Sequence, residues 1–164
     1  MRDGHGTRSS WPEHLHPGAL RFSRSSDNYD QTIPFYRDVL RLPVVDEFTD
    51  SFGEDGTIFG LPGTQTHLEI VRGHGTAHAD DPLDQLVFYL SGATAVETAT
   101  APLGEAGVRR DPSPHPYWVA RGAVVYLDPD DRRVVFAPWV FGEEPEPIQR
   151  GGRQDHRDRL RAQS

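Results

Sequence analysis

His67 and Glu69 stand two residues apart in the run Thr66-His-Leu-Glu-Ile-Val71, which reads as a β-strand. Successive strand side chains alternate faces, so this imidazole and this carboxylate point the same way. Such a pair suits general acid–base work. A carboxylate with a burial-raised pKa takes a proton from a carbon acid or hydroxyl, and His67 or Tyr117 is the proton partner. The simpler alternative makes His67 a polar residue near a strand end. Other chemistries are excluded by composition. The chain has no cysteine, hence no thiol nucleophile, disulfide or thiolate metal site. All 17 basic residues are arginine, which removes Schiff-base lysine chemistry. The glycines at 56–63 and 104–107 lack the spacing of a phosphate loop or dinucleotide fingerprint, and no nucleophile elbow occurs.

The remaining histidines carry less. His5, His14 and His16 are scattered through residues 1–17 without periodicity, and His74 and His78 lie among Gly and Asp in a polar linker. Both groups read as solvated. Tyr89, Tyr117 and Trp118 offer flat surfaces on which a ligand can stack; Tyr117 and Trp118 alternatively pack as core at a strand entrance. The net charge of −8 disfavours polyanions, and no basic stripe interrupts it, so nucleic acid is not an expected partner. No apolar run approaches the roughly 20 residues that cross a bilayer, and Met-Arg-Asp-Gly-His-Gly lacks the apolar core of a signal peptide. The chain is therefore expected in the cytoplasm.

The elements that must position these residues recur in order. A strand at Ala19–Arg24 precedes a helical rhythm over 27–40, where Tyr29, Ile33, Tyr36 and Leu40 share a face. Pro34 is tolerable only in the first turn, which sets the helix start near Asp30. Strands follow at Pro43–Phe48, Thr57–Leu61 and Thr66–Val71. After the linker the order repeats: a strand at 84–90, a helix over 92–106 that Pro102 should break or kink, then strands at Val108–Arg110, Ala123–Leu127 and Arg132–Ala137. Asp128-Pro-Asp-Asp131 supplies a tight turn. The domain spans 18–141, with modules at 18–72 and 84–141 and a linker at 73–83. Residues 1–17 and 142–164 read as mobile tails. Each βαβββ module leaves the inner face of its half-sheet uncovered, and two such faces enclose a cleft, within one chain or by exchange between two.

Phe35-Tyr-Arg-Asp-Val-Leu-Arg-Leu-Pro-Val44 looks like the FYRDVLGLPV helix-to-strand signature of the vicinal-oxygen-chelate superfamily, with Arg41 where Gly is usual. That superfamily contains glyoxalases, bleomycin-resistance proteins and extradiol dioxygenases. His67–Val71 resembles its fourth strand, whose Glu is often a metal ligand. Leu86-Val-Phe-Tyr89 resembles the start of the second module. His115-Pro-Tyr-Trp118, Gly122 and Leu127-Asp-Pro-Asp130 resemble the NPYW…G…DPDG ending of a bacterial subgroup. The resemblance implies an α+β fold whose two tandem βαβββ modules form a half-barrel-shaped cleft, and it implies a homodimer.

The resemblance also implies four cleft-facing positions for a divalent cation. They fall on Arg21 (or Leu20, one position earlier), Glu69, Gln85 and Val135, giving two oxygen donors where a catalytic metal needs about three firm ligands. No metal or other cofactor is therefore expected. If a divalent metal were held, His67, Glu69 and Gln85 would be the set. Arg21 and Glu69 should pair in the absence of a cation. The expected function is a metal-free cleft that binds a small organic molecule through Arg21, Glu69, Gln85, Tyr89, Tyr117 and Trp118, as in antibiotic sequestration. The alternatives are a metal-dependent, glyoxalase-like lyase or isomerase or a dioxygenase-like enzyme, a metal-free acid–base catalyst using Glu69 and His67, and a structural dimer without ligand.

Overall fold

The computed structural model describes residues 18–75, 81, 83–140 and 142–148; the expectations for His5, His14, His16, His78 and most of both tails lie outside them. The chain divides into two compact units, residues 1–76 and 77–164. The architecture is mixed α+β, and neither sheet closes into a barrel. No helix among the described residues is long and apolar enough to cross a membrane.

The first unit runs β1 (Leu20–Ser26), α1 (Tyr29–Pro34), a π-helical turn (Phe35–Val39), β2 (Val44–Ser51), β3 (Glu54–Gly60) and β4 (Thr66–Arg72). The sheet order is β1-β4-β3-β2, with β1 parallel to β4 and the other pairs antiparallel. Alternation sorts its faces. Thr57, Phe59, Leu68 and Ile70 share the buried face, where Thr32 and Ile33 of α1 and Phe35 and Tyr36 of the π-turn complete the core. The opposite face carries Arg21, Ser23, Ile58, His67 and Glu69.

Pro34 does not sit in the first turn, as its ring chemistry suggested. It is the last residue of α1, and the hydrogen-bond ladder widens immediately after it: the Leu40 amide donates to the Phe35 carbonyl and the Leu42 amide to Tyr36. A proline inside a helix forfeits one N–H and crowds the carbonyl four residues back, and a π-turn is one way to absorb that strain. Arg41 then adopts φ 58°, which explains the Gly usual at this place, because only Gly enters the left-handed region without a Cβ penalty.

The second unit runs β5 (Gln85–Tyr89), α2 (Ala93–Glu105), α3 (Pro116–Val119), β6 (Val124–Leu127) and β7 (Arg133–Ala137), with sheet order β5-β7-β6. Pro102 does not break α2, which continues to Glu105. It lies in the last turn, where one bond is forfeited and buried Leu103, Thr100 and Val96 still anchor the helix. The strand expected at Val108–Arg110 is reduced to a single bridge, Arg110 to Tyr126. Val108 spends its amide on the Leu103 carbonyl at the end of α2, so the chain has only the flanking Arg109 and Asp111 backbone groups left to bond to β6. Tyr117 and Trp118 form a helical turn ahead of β6, where Trp118 packs as core, as one of the two readings had it, while Tyr117 stays exposed. Pro116 occupies the first position of that turn and His115 Nδ1 accepts the Tyr117 amide at 3.2 Å. The turn at 128–131 forms as its residues imply: Asp128 Oδ1 accepts the amides of Asp130 and Arg132, both at 2.9 Å.

Candidate functional site

In the first unit the face away from α1 is polar. Parallel pairing sets Arg21 opposite His67 and Ser23 opposite Glu69. A long guanidinium side chain reaches two residues along the neighbouring strand, and Arg21 Nη1 lies 3.4 Å from Glu69 Oε1. Glu69 is 12% exposed and Arg21 53%, so the carboxylate is largely withdrawn from water while its cation stays open to solvent. His67, half-buried, belongs to the same face. Ile58 lies opposite Glu69 on β3 and adds an apolar neighbour. His74, expected to be solvated, is exposed but paired, with Nε2 2.9 Å from Glu54 Oε2.

In the second unit the face away from α2 is aromatic. Gln85, Val87 and Tyr89 of β5 stand opposite Arg133, Val135 and Ala137 of β7. Trp118 and Trp139 pack against Val125, Val135 and Ala137, with Val87, Tyr89 and Ala123 at the margin. The two indoles are near-parallel, with ring centroids 6.0 Å apart at 26°. Tyr117 meets Trp118 edge-on at 4.9 Å, and the Arg121 guanidinium lies 4.2 Å from the Tyr117 ring centre. Trp118 Nε1 donates to Gln85 Oε1 at 2.9 Å. At the polar end, Arg133 Nε donates to Asp111 Oδ2 at 3.0 Å.

Aligned on Arg21 and Gln85, the two strand pairs place His67 where the other has Arg133, and Glu69 where the other has Val135. The donors fit a resident cation poorly. Glu69 already faces a guanidinium, Gln85 Oε1 already accepts an indole N–H, and Val135 is wholly buried with no donor. Among the described residues no three His, Asp or Glu side chains cluster to hold an ion.

Sequence reasoning put His67 and Glu69 on one strand face, paired Arg21 with Glu69, and named Gln85, Tyr89, Tyr117 and Trp118 as ligand contacts without grouping them; the structure sets Arg21, His67 and Glu69 on the first sheet and gathers Gln85, Tyr89, Tyr117 and Trp118 about the second. Sequence reasoning missed Trp139, Arg133 and Asp111. Alternation carried forward from Val135 and Ala137 would have reached Trp139, and carried backward would have reached Arg133. Asp111 had no such signal, since it lies outside any strand. Trp139 is 5% exposed, and its Nε1 has no acceptor among the described residues. Leaving a buried donor unpaired costs about 1–3 kcal/mol.

Tyr89 is held above the usual tyrosine value of 10.0, first by burial, then by the nearby Tyr117 phenol and the Glu144 carboxylate. Below about pH 10 Tyr89 is neutral folded or unfolded, and its contribution is complete. As the pH rises past that value the unfolded chain gains a phenolate that the folded chain resists. Stability is therefore lost with rising pH until the raised folded value is passed. Urea midpoints of the wild type should fall more steeply above about pH 10 than those of Tyr89→Phe. Parallel curves would contradict the assignment.

Two family models match the chain in tandem. The YycE-like N-terminal domain matches residues 20–71 and the YycE-like C-terminal domain matches 84–138. The uncharacterized protein YycE of Bacillus subtilis (strain 168) is 37% identical over 119 residues, covering 71% of this chain and 85% of that protein. A crystal structure of a YycE protein of unknown function from Bacillus subtilis superposes with a TM-score of 0.67 at 35% identity, over 76% of this chain and 93% of that one. Two more distant structures share the fold. The fosfomycin resistance protein FosX of Listeria monocytogenes, solved with Mn(II) and a dihydroxypropylphosphonic acid, gives a TM-score of 0.55 at 12% identity, over 77% of this chain and 95% of that one. TnmS3, an antibiotic binding protein from Streptomyces sp. CB03234, gives 0.55 at 20% identity, over 76% and 98%.

Proposed function

The chain belongs to the YycE-like family of the vicinal-oxygen-chelate superfamily, and on that premise we propose that it binds a small organic molecule without a catalytic metal. One observation carries the reading: the Glu69 carboxylate, at a position where the superfamily resemblance implies a metal ligand, faces Arg21 at 3.4 Å. The positive guanidinium stands at that carboxylate, and a divalent cation bound there would be repelled by it or have to displace it. In the first unit the exposed Arg21 and half-buried His67 then offer a ligand polar groups to bond. In the second unit, taken by itself, the aromatic face offers flat groups a surface. Binding of an antibiotic by TnmS3 on the same fold supports sequestration as the biological role. A second copy of the chain is the proposed partner, since β1 ends its sheet and presents Leu20 and Phe22 to solvent. The proposed compartment is the cytoplasm.

A second reading rests on His67 sharing the Glu69 face: proton transfer at a carbon acid or hydroxyl, with Glu69 as base. The two readings separate in one experiment. The full chain is equilibrated with Mn(II) and Zn(II), dialysed and assayed for metal, then titrated with bleomycin and with fosfomycin while the small molecule is followed by mass spectrometry. We expect metal well below one equivalent, and saturable binding of a ligand recovered unchanged. Glu69→Gln, which leaves Arg21 without its carboxylate, should weaken that binding about tenfold. Stoichiometric metal, or a product that accumulates beyond one turnover, would sink the binder reading and favour an enzyme.

A further inference from the structure

We infer that the Trp139 indole N–H reads the ligand: the aromatic face of the second unit takes a flat ring system carrying a hydrogen-bond acceptor. The inference rests on the binding role proposed above and narrows its ligand class. The cluster holds two tryptophans in different states. Trp118 Nε1 is satisfied by Gln85 at 2.9 Å, whereas Trp139 Nε1 is buried with no acceptor among the described residues. The side chains packed with Trp139 explain the difference. Val125, Val135 and Ala137 offer no acceptor, and Tyr89 and Tyr117 meet it as edge-on rings at 6.2 and 6.4 Å. A second donor in the same neighbourhood is also unmatched: Arg121, stacked on Tyr117, keeps a buried Nε without an acceptor among the described residues. Buried donors are paired in folded proteins nearly always, so two orphans bordering one tyrosine ring point to acceptors brought from outside.

The surrounding groups set the ligand's other properties. Rings that already pack edge-on and near-parallel offer another flat ring the same contacts, worth more than the area alone. Arg133 is matched by Asp111, so a neutral ligand leaves no charge of that pair uncompensated. Trp139 is almost fully covered while Tyr117 is 36% exposed on a helix of four residues, so the ring enters by displacing Tyr117.

Quinoline and naphthalene test this directly, since they share a shape and differ by one acceptor nitrogen. The full chain is labelled with nitrogen-15, and its three tryptophan indole signals, from Trp11, Trp118 and Trp139, are assigned by single Trp→Phe replacements. Quinoline should bind about tenfold more tightly than naphthalene and shift the Trp139 indole proton downfield, with the Trp118 signal moving less. Trp139→Phe should bind both rings equally. If that variant does not fold, the Trp139 signal of the wild type still decides. Equal binding of the two rings with an unmoved Trp139 signal would overturn the donor role and leave ring binding by this face standing. Failure of both rings to bind would overturn the inference together with the ligand role of this face. A long-lived water found on the Trp139 indole proton, and kept in the presence of quinoline, would also overturn it, because the donor would already be satisfied.

Discussion

Replacing Asp111 by alanine is expected to cost about 3–5 kcal/mol of stability, the loss that follows when one partner of a buried ion pair is removed. The Asp111 side chain is 2% exposed and that of Arg133 13%, with Nε 3.0 Å from Oδ2. Asp111 also accepts the Ser113 amide through Oδ1 at 2.9 Å, so the substitution strips a local turn bond as well. An exposed pair of the same length would be worth only about 0–1 kcal/mol, because water solvates both charges once they separate. Here the guanidinium of β7 would stay half-withdrawn with its carboxylate gone. The urea midpoint followed by tryptophan fluorescence, which reports on Trp118 and Trp139, measures the loss. The double replacement Asp111→Leu with Arg133→Leu should cost much less, since neither charge remains to be desolvated. A cost for Asp111→Ala below about 1 kcal/mol would mean that water reaches the pair and that it acts as a surface contact.

Phe59→Ala should be comparably severe, at about 3–5 kcal/mol, through lost burial and an incompletely collapsed cavity. Phe59 is wholly buried in β3, opposite Leu68 of β4, and its ring centre is 5.9 Å from that of Tyr36 in the π-turn. It therefore joins the sheet to the helical layer of the first unit. Its neighbour Ile58 faces the other way, opposite Glu69, so a cavity at 59 loosens the strand that backs the Arg21–Glu69 pair. Amide hydrogen exchange should show protection lost in β3 and β4 before it is lost in the second unit. Phe59→Leu keeps most of the volume and should cost less than half as much. Equal costs for the Ala and Leu variants would show that the site collapses freely and that the aromatic contact with Tyr36 adds nothing.

Much of the fold was legible because it follows from properties carried by short stretches of chain. Alternation located β1, β4, β5 and β7 to within about two residues, the ordinary uncertainty of strand boundaries. Alternation also put His67 and Glu69 on one face, and Pro129 with its flanking aspartates marked the turn between β6 and β7. The errors fall where two local preferences compete. Pro34 could start a helix or disturb one, and which occurs depends on whether Phe35 and Tyr36 must turn into the core. Val108 could donate to a sheet or to the end of α2, and the helix end took it. Residues 142–148 read as part of a mobile tail, yet the Ile148 amide donates to the Ala120 carbonyl at 2.7 Å. No local pattern signals such a bond.

The sequence by itself determined the strand–helix–strand order that recurs in both halves, the side chains that share each strand face, and the absence of thiol and lysine chemistry. Each of these is set by residue type and by a period of two along a strand. Tertiary structure alone decided which polar groups find partners. Arg21 meets Glu69 because a parallel register joins strands far apart in the chain. Gln85 is engaged by Trp118 because α3 folds over the second sheet, and Trp139 Nε1 has no acceptor among the described residues because the side chains packed on it are apolar or edge-on aromatic. Periodicity says which way a side chain points; the partner it meets depends on distant segments converging, and no local pattern encodes that.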